Sequence, residues 1–248
     1  NGSKIFFFMN TKIRLYFSSK IKSDLVVHLG KEQTHYLKAV MRLMEGDIFS
    51  VFNTQGEWNA SVQNYEKQGV KIKILEKTRD KKNEQNTWLA FTPIKQNPMN
   101  FLIQKGTELG VQKFIPILSE RTSVKDINNQ RIKKIIIESA EQSNRISIPE
   151  IEPLKKLKDF LFSFPKDGIL VFCDINCNQS DLKSVLSKKG MGPICILIGP
   201  EGDFSENERQ LITELKQSQS ISLAQNILRA ETAAVAAVTL VNYYLNLS

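Results

Sequence analysis

The stretch that decides the fold covers residues 193–240 and reads PICILIGPEGDFSENERQLITELKQSQSISLAQNILRAETAAVAAVTL. Its first half opens with an apolar run, residues 194–198, which predicts a buried strand. A turn rich in glycine, 199–202, ends that strand. Ser205 and Glu208 then have the spacing of a capping box, which begins a helix. This half therefore predicts a strand, a tight turn and a helix.

The second half repeats this arrangement. A short apolar strand is predicted at 221–223, followed by a loop to Arg229 and a long, almost uncharged helix from about Glu231. We expect the two loops to leave neighbouring strand ends of an open α/β sheet. Such sheets bind ligands in the crevice at the carboxyl ends of their strands, so the sequence predicts a ligand site between the loops.

The charges around the first loop indicate the kind of ligand. Four acids and no cation precede Arg209 in the turn and the first helical turn: Glu201, Asp203, Glu206 and Glu208. A helix start ordinarily favours phosphate, but here a phosphate would meet like charge. Neither the glycine-rich dinucleotide fingerprint nor the P-loop motif is present. A neutral or cationic ligand fits better, and the sulfonium of S-adenosylmethionine is one such ligand.

The paired motifs GPEGDFSENE and ILRAETAA resemble those of the RsmE family, which methylates the N3 ring nitrogen of a uridine in 16S ribosomal RNA. The likeness continues through IQKGTELGVQKFIPILSERTSV (103–124), ESAEQSNR (138–145) and HYLKAVMRLMEGD (35–47). It implies the SPOUT methyltransferase fold, with a mainly parallel sheet and a trefoil knot that holds S-adenosylmethionine. It also implies a homodimer formed through the last helix.

The chain divides into two predicted domains joined by a polar linker. Strand-like runs separated by hairpin turns lie at 48–52, 58–65 and 70–77. Residues 79–87 contain no apolar side chain and are interpreted as the linker. We predict an α/β protein, and the resemblance implies the nature of its parts: a PUA-like RNA-binding β-barrel at 1–78, in which 1–8 are partly a tag or disordered; the linker 79–87; and the SPOUT methyltransferase domain at 88–248.

Beyond the linker, strands alternate with helices, which is typical of a parallel sheet covered on both faces. Predicted strands lie at 88–94, 111–118 and 168–174. Asn97 and Pro98 are interpreted as the N-cap and first turn of a helix that Gly110 ends. Further helices are predicted at 130–145, 153–164 and about 179–186.

The resemblance and the predicted strand ends together indicate the site residues. The cofactor-binding residues are predicted to be Phe172, Cys173, Ile198, Gly199, Pro200, Glu201, Gly202, Ser222, Leu223, Ile227, Leu228 and Thr232. Arg229 is predicted to stabilise the negative charge that spreads over uracil when its imide proton leaves. Glu231 is predicted to orient Arg229 or to accept that proton. Two departures from the family lie in this pocket: Asp203 replaces a common glycine, and 224–226 read Ala-Gln-Asn.

Positive charge is concentrated at the start of the chain. Residues 1–42 carry eight Lys or Arg and two acids, a net +6, so the remaining 206 residues contribute only +2 of the total +8. This asymmetry is either a footprint for nucleic acid or a solvated lysine-rich face. Phosphate contacts are predicted for Arg14, Lys38, Arg42, Arg121 and Arg145.

Metal and disulfide chemistry are disfavoured. Cys173 and Cys195 lie in apolar strands and are predicted core residues, and Cys177 has no second Cys or His pair nearby. His28 and His35 have no third ligand candidate, so we predict no metal. With no apolar stretch long enough to cross a membrane, we expect a cytoplasmic protein without a membrane partner.

Two other functions stay open. One is a non-catalytic RNA-binding or ribosome-assembly protein that keeps the fold. The other is a dinucleotide-dependent α/β enzyme, which the acidic loop disfavours. The preferred prediction is an S-adenosylmethionine-dependent 16S ribosomal RNA (uracil-N3)-methyltransferase that acts on the RNA or the small subunit as a homodimer.

Overall fold

The computed structural model describes residues 13–81, 84–177, 181–187 and 190–246. The chain divides into two compact units, Asn1–Lys82 and Asn83–Ser248. The division falls inside the predicted linker 79–87, but strands occupy both ends of that stretch, from Gly69–Asp80 before it to Thr87–Phe91 after it. The predicted tag or disordered start, 1–8, lies outside the described residues.

The first unit is built on one five-stranded sheet. Its strands are β1 (Arg14–Tyr16), β2 (Val26–His28), β3 (Ile48–Asn53), β4 (Gly56–Glu66) and β5 (Gly69–Asp80). They lie in the order β1-β3-β4-β5-β2, with β1 parallel to β3 and the other pairs antiparallel. A short helix, α1 (Lys31–His35), continues into a π-helical turn, Tyr36–Val40.

The predicted hairpins of this unit are confirmed. On β5, Val70, Ile72 and Ile74 are fully buried, while Lys71 and Lys73 between them are only half-buried. This period of two follows from the pleat of a strand, which points successive side chains to opposite faces. The buried face packs with apolar residues of β3, β4 and the π-helical turn into one core, and burial of that apolar surface stabilises the unit.

The second unit contains an entirely parallel sheet between two layers of helices. Its strands are β6 (Thr87–Phe91), β7 (Lys113–Leu118), β8 (Glu150–Ile151), β9 (Lys155–Lys156), β10 (Ile169–Cys173), β11 (Ile194–Ile198) and β12 (Ser218–Ile221). Its helices are α2 (Gln96–Glu108), α3 (Asn129–Gln142), α4 (Leu157–Phe162), α5 (Leu182–Ser187), α6 (Glu206–Glu214) and α7 (Ala230–Asn246). The strand order is β12-β10-β11-β6-β7-β8, with β9 beside β7.

Alternation along the central strands sends side chains into both helical layers. On β10, Val171 belongs to the core shared with α2, α3, α5 and α7, whereas Leu170 and Phe172 belong to the core shared with α4 and α6. Both faces are therefore dry, which explains why the central strands read as continuous apolar runs. The mainly parallel α/β sheet predicted from the sequence is confirmed. The trefoil knot stays a prediction, since strand order does not record threading.

Several predicted boundaries are corrected by the structure. Helix α2 begins at Gln96 with Lys95 as its N-cap, so Asn97 lies inside the helix. The helix predicted at 153–164 begins only at Leu157, because β9 precedes it and pairs with β7. Strand β12 ends at Ile221, where the prediction placed its start.

Helix α7 has a buried face and an exposed one. Ala237, Val238 and Val241 are fully buried, whereas Leu240 is 37% and Tyr243 60% exposed. Within the single chain, this helix is therefore buried on one face only. Among the residues described, no helix has the length and apolar character needed to cross a membrane.

Candidate active site

Three loops leave the same edge of the sheet next to one another. Strand β10 lies between β11 and β12, with Phe172 opposite Leu197 on one side and Cys173 opposite Ile221 on the other. The prediction that the loops after β11 and β12 leave neighbouring strands is therefore wrong. They flank the end of β10, which brings residues 173–177 between them.

The loop after β11 is held to the core by Phe204. This ring is buried and meets the ring of Phe172 edge-on, with centroids 5.7 Å apart. A side chain at Gly199 would place its Cβ 2.9 Å from Phe204 Cε2, well inside ordinary carbon contact distance. Close packing against the Phe204 ring therefore requires glycine at position 199.

Asp203 adopts a left-handed conformation, with φ of 59°. Glycine favours this region because it has no Cβ, and aspartate tolerates it when its side chain bonds locally. Here the Asp203 carboxylate accepts hydrogen bonds from Phe204 N (2.8 Å) and Asn176 Nδ2 (3.2 Å). The backbone N–H of Asp203 also donates to Pro200 O at 2.9 Å. Asp203 therefore maintains the same left-handed turn that a glycine would form at this position.

A buried carboxylate at the end of β10 fixes the helix that follows the loop. Asp174 is 3% exposed, and its Oδ2 accepts from Arg209 Nη2 on α6 at 2.8 Å. This hydrogen bond raises the pKa of Arg209. The ion pair between Asp174 and Arg209 was not predicted from the sequence, because thirty-five residues separate the two.

The capping box of α6 is confirmed and also joins a second loop. Ser205 Oγ accepts from Glu208 N, and Glu208 Oε2 accepts from Ser205 N. Glu208 is buried, and its Oε1 accepts from Glu120 N at 2.8 Å. Because Glu120 follows β7, one carboxylate links the helix start to the loop that carries Arg121.

Arg121 contacts the predicted donor loop directly. Its side chain is exposed, and Nη1 donates to the backbone oxygen of Gly202 at 2.7 Å. Because the acceptor is a backbone oxygen, this hydrogen bond does not depend on the side chains of the turn at 199–202. A cation that was predicted to contact phosphate therefore lies beside the turn that was predicted to bind cofactor.

The loop after β12 is open to solvent. Ser222 and Leu223 are half-buried, residues 224–226 are exposed, and Ile227 is 80% exposed. Leu228 is half-buried against the core of the sheet. The loop thus presents backbone and aliphatic surface beside the turn at 199–202.

Arg229 and Glu231 lie at the start of α7, directly after this loop. Arg229 is exposed and Glu231 half-buried, and Thr232 beside them is exposed. Arg229 O accepts from Ala233 N at 2.8 Å, which begins the helix. Within the described part of the chain, neither charged side chain forms an ion pair or a side-chain hydrogen bond. The Arg229 guanidinium is therefore available at the rim of the loops.

Some predicted cofactor residues can contribute only their backbone. Phe172 and Ile198 are buried, with side chains on opposite faces of the sheet. Cys173 is half-buried, and burial raises the pKa of its thiol. The exposed candidates are Glu201, Gly202, Ile227 and Thr232, and Gly199, Pro200, Ser222, Leu223 and Leu228 are half-buried.

Arg14 is not positioned to contact phosphate, contrary to the prediction. It is 6% exposed, and its Nε lies 3.2 Å from Glu57 Oε1. The guanidinium also covers the ring of Phe52 at 4.3 Å. Arg79 approaches the same carboxylate at 2.8 Å. A buried cation persists only with such partners, so Arg14 stabilises the sheet.

Arg145 is likewise a structural residue, which corrects its predicted phosphate contact. It is 8% exposed, and Nη1 donates to Thr107 O (2.7 Å) and Val111 O (2.8 Å). Its Nη2 lies 2.6 Å from Glu84 Oε2. Burial lowers the pKa of Arg145, and the Glu84 charge opposes that effect. The bonds join the end of α2 to the start of the second unit.

The other predicted RNA contacts are exposed. Lys38 is exposed on the π-helical turn, with its Nζ 5.2 Å from the centre of the Tyr65 ring. Arg42 is exposed and left-handed, with φ of 55°. Across residues 13–81, 84–177, 181–187 and 190–246, the structure contains no group of three or more His, Cys, Asp or Glu able to hold a metal.

Comparison with known families defines the class. Residues 81–242 match the RNA methyltransferase domain family, and residues 29–75 match the RNA methyltransferase PUA domain. The two units thus pair a methyltransferase domain with the PUA domain of RNA methyltransferases.

Individual relatives show which family of RNA methyltransferases the chain resembles. The ribosomal RNA small subunit methyltransferase E of Rickettsia conorii is 32% identical, over 91% of this chain and 93% of its own length. The Bacillus subtilis protein of the same name is 29% identical, over 86% and 88%. A crystal structure of that methyltransferase from Neisseria gonorrhoeae, bound to S-adenosyl methionine, is 28% identical with a TM-score of 0.85, covering 94% of this chain and 97% of its own. The chain belongs to the ribosomal RNA small subunit methyltransferase E family, the RsmE family that its motifs resemble.

Proposed function

We propose that this protein transfers a methyl group from S-adenosylmethionine to the N3 nitrogen of a uridine in 16S ribosomal RNA. The observation that carries the proposal is the exposed Arg229 guanidinium, without an ion pair among the described residues, at the rim of the loops after β10, β11 and β12. The names of the relatives in Rickettsia and Bacillus, and the ligand in the Neisseria structure, support S-adenosylmethionine-dependent methylation of small-subunit ribosomal RNA.

The residues of the three loops fit S-adenosylmethionine. Ile227 and Leu223 offer apolar surface for an adenine ring, and the turns at 199–202 and 222–226 offer backbone groups for its polar edge. Glu201 is exposed at the first turn and would attract a sulfonium. The local arginines are already oriented, since Arg209 bonds Asp174 and Arg121 bonds a carbonyl.

The chain's own residues account for the charge that develops on the base. When bound, S-adenosylmethionine supplies a methyl group on an activated leaving group, so no covalent nucleophile is required. Removal of the imide proton of uracil spreads negative charge over N3 and its two flanking carbonyl oxygens. The Arg229 guanidinium can donate N–H groups to one of those oxygens and stabilise the anion. Glu231, two residues later, is proposed to orient Arg229 or to accept the proton.

RNA and a second copy of the chain complete the proposed assembly. Lys38, Arg42 and Arg121 are exposed cations and are proposed to contact phosphate. The exposed Leu240 and Tyr243 on α7 support a homodimer formed through this helix. Because the proposed substrate is ribosomal RNA or the small subunit, we propose that the protein acts in the cytoplasm. The domain limits 1–78 and 88–248 and the knot are part of the same proposal.

The test is methylation of 16S ribosomal RNA isolated from a strain that lacks this protein. With S-adenosylmethionine, the purified protein is expected to add one methyl group to uridine N3, located by mass spectrometry. Arg229→Ala is expected to slow single-turnover methylation by about 100-fold or more, while calorimetry shows unchanged binding of S-adenosylmethionine. Lys216→Ala is the control, because Lys216 is exposed and precedes β12 at the opposite edge of the sheet.

Two results would contradict the proposal. An Arg229→Ala rate equal to that of Lys216→Ala would remove Arg229 from the chemistry. RNA affinity without any methyl transfer or S-adenosylmethionine binding would instead support the non-catalytic RNA-binding alternative.

A further inference from the structure

A second concave site lies on the same unit, at the loops that follow β6 and β7. Its volume is about 160 Å³. The start of α2, the start of α3 and the segment before α3 surround it. Aliphatic side chains form one part of its wall: Ile94, Met99, Val124, Ile127 and Ile132. Ile94, Met99 and Ile132 are buried, so this part of the wall is a fixed piece of the core.

The remaining wall is polar and nearly balanced in charge. It consists of Gln96, Asn100, Asp126, Asn128 and Arg131. The Asn100 carboxamide satisfies both of its polar neighbours when its nitrogen faces Gln96 O (3.2 Å) and its oxygen faces Arg131 Nη2 (3.0 Å). Asn128 Oδ1 accepts from Arg131 N at 3.0 Å and caps α3. Amide donors and acceptors thus surround an aliphatic floor.

This cavity shares the edge of the sheet with the candidate active site. In the strand order, β6 is next to β11 and β7 is next to β6, and all three are parallel. Their carboxyl ends therefore meet one edge. Arg121, on the loop after β7, already reaches the loop after β11 through Gly202 O. A ligand in the cavity and one at the donor loops would be held by contiguous loops.

The chemistry of the wall selects an uncharged, planar group with a polar edge. One carboxylate and one guanidinium face the site, so a phosphate would gain little. A purely apolar ligand would remove water from this polar wall without offering it hydrogen bonds, which is unfavourable. Asparagine and glutamine pair readily with the edges of bases. A dry cavity of about 150 Å³ accommodates benzene, so this site has room for a single six-membered ring.

We propose that this cavity binds one nucleobase, pyrimidine-sized and unstacked, of a nucleotide that flanks the methylated uridine. The inference rests on the proposed function, because it requires an RNA substrate at this edge. Single-stranded RNA is commonly recognised by such splayed bases, each held by apolar contact and hydrogen bonds to its edge. The cavity would then fix the register of the RNA, while Arg229 acts on the target base.

The experiment measures affinity for short synthetic RNAs centred on the uridine that mass spectrometry identifies. One abasic nucleotide is placed at each flanking position in turn. A single position is expected to weaken binding about tenfold. Val124→Phe, which fills the cavity, is expected to bind the unmodified RNA about tenfold more weakly and to lose sensitivity at that position. Gln96→Ala is expected to show a smaller loss of the same kind.

Matched controls separate this inference from the proposed function. Gln130→Ala changes an exposed glutamine on α3 outside the cavity wall and is expected to behave as the unchanged protein. Binding of S-adenosylmethionine, measured by calorimetry, is expected to stay unchanged in all three variants. If the unchanged protein neither binds nor methylates RNA, the proposed function fails. If it does both, but no flanking position is sensitive, or the abasic and Val124→Phe effects simply multiply at every flanking position, the flanking-base inference is overturned.

Discussion

The packing at Gly199 yields the sharpest structural prediction. An alanine there would bring its Cβ to 2.9 Å from Cε2 and 3.1 Å from Cδ2 of Phe204. Carbon atoms prefer about 3.5–4.0 Å, so the ring or the loop must move by more than half an ångström. Phe204 is buried against Phe172, which leaves little room for that shift. Overpacking of this kind typically costs about 1–3 kcal/mol, and we expect about 2 kcal/mol for Gly199→Ala.

Gly202→Ala provides a control on the same loop. The nearest atom to a Cβ at Gly202 is Arg121 Cδ, at 3.8 Å, which is an ordinary contact. We therefore expect less than about 0.5 kcal/mol at that position, as for other surface substitutions. Urea unfolding measures the difference in the free energy of unfolding between the two variants, and we expect both to show the same dependence of that free energy on urea concentration.

A double variant tests the physical cause. Phe204→Leu alone is expected to destabilise the protein by loss of packing, but combined with Gly199→Ala it removes the atoms in conflict. The pair should therefore be at least about 0.5 kcal/mol more stable than the sum of the single effects, a range typical of residues in contact. Equal stabilities for Gly199→Ala and Gly202→Ala, or strict additivity in the double variant, would refute the packing argument.

Three further predictions follow from the ion pairs and exposed cations. Arg145→Met is expected to lower the free energy of unfolding by about 3–5 kcal/mol, because it leaves buried carbonyls and a carboxylate without their donor; urea unfolding measures the loss. Asp174→Asn weakens the bond to the partly exposed Arg209 and should cost about 1–2 kcal/mol, with a raised dissociation constant for S-adenosylmethionine by calorimetry. Lys38→Ala and Arg42→Ala should each reduce the slope of log affinity for RNA against log salt by about 1, and an unchanged slope would exclude that side chain from phosphate contact.

Elements whose signal lies within a few residues were predicted well. The capping box of α6 needed only Ser205 and Glu208, and the strand β5 only its alternation. The position of strand β12 was predicted wrongly because its residues, Ser218–Ile221, are mostly polar. They form a strand because their backbone pairs with β10. Because Leu223 is apolar, the predicted strand began at residue 221, three residues after the observed start at Ser218.

The site was predicted in part, for the same reason. Strand ends and glycine turns identify the loops, but the strand order that puts β10 between them depends on contacts across the whole domain. Local sequence patterns also could not predict which arginines are buried. Arg14 meets Glu57 from forty-three residues away, and Arg145 meets Glu84 from sixty-one. A charge count cannot distinguish such buried cations from exposed ones such as Arg121.

The proposed donor site is tested most directly by a crystal structure of the protein soaked with S-adenosylmethionine. Electron density for the ligand is expected between the turn at 199–202 and the loop at 222–228, with its methyl group facing the guanidinium of Arg229. Density in the cavity between α2 and α3 instead, or no bound ligand at saturating concentration, would contradict the assignment of these loops.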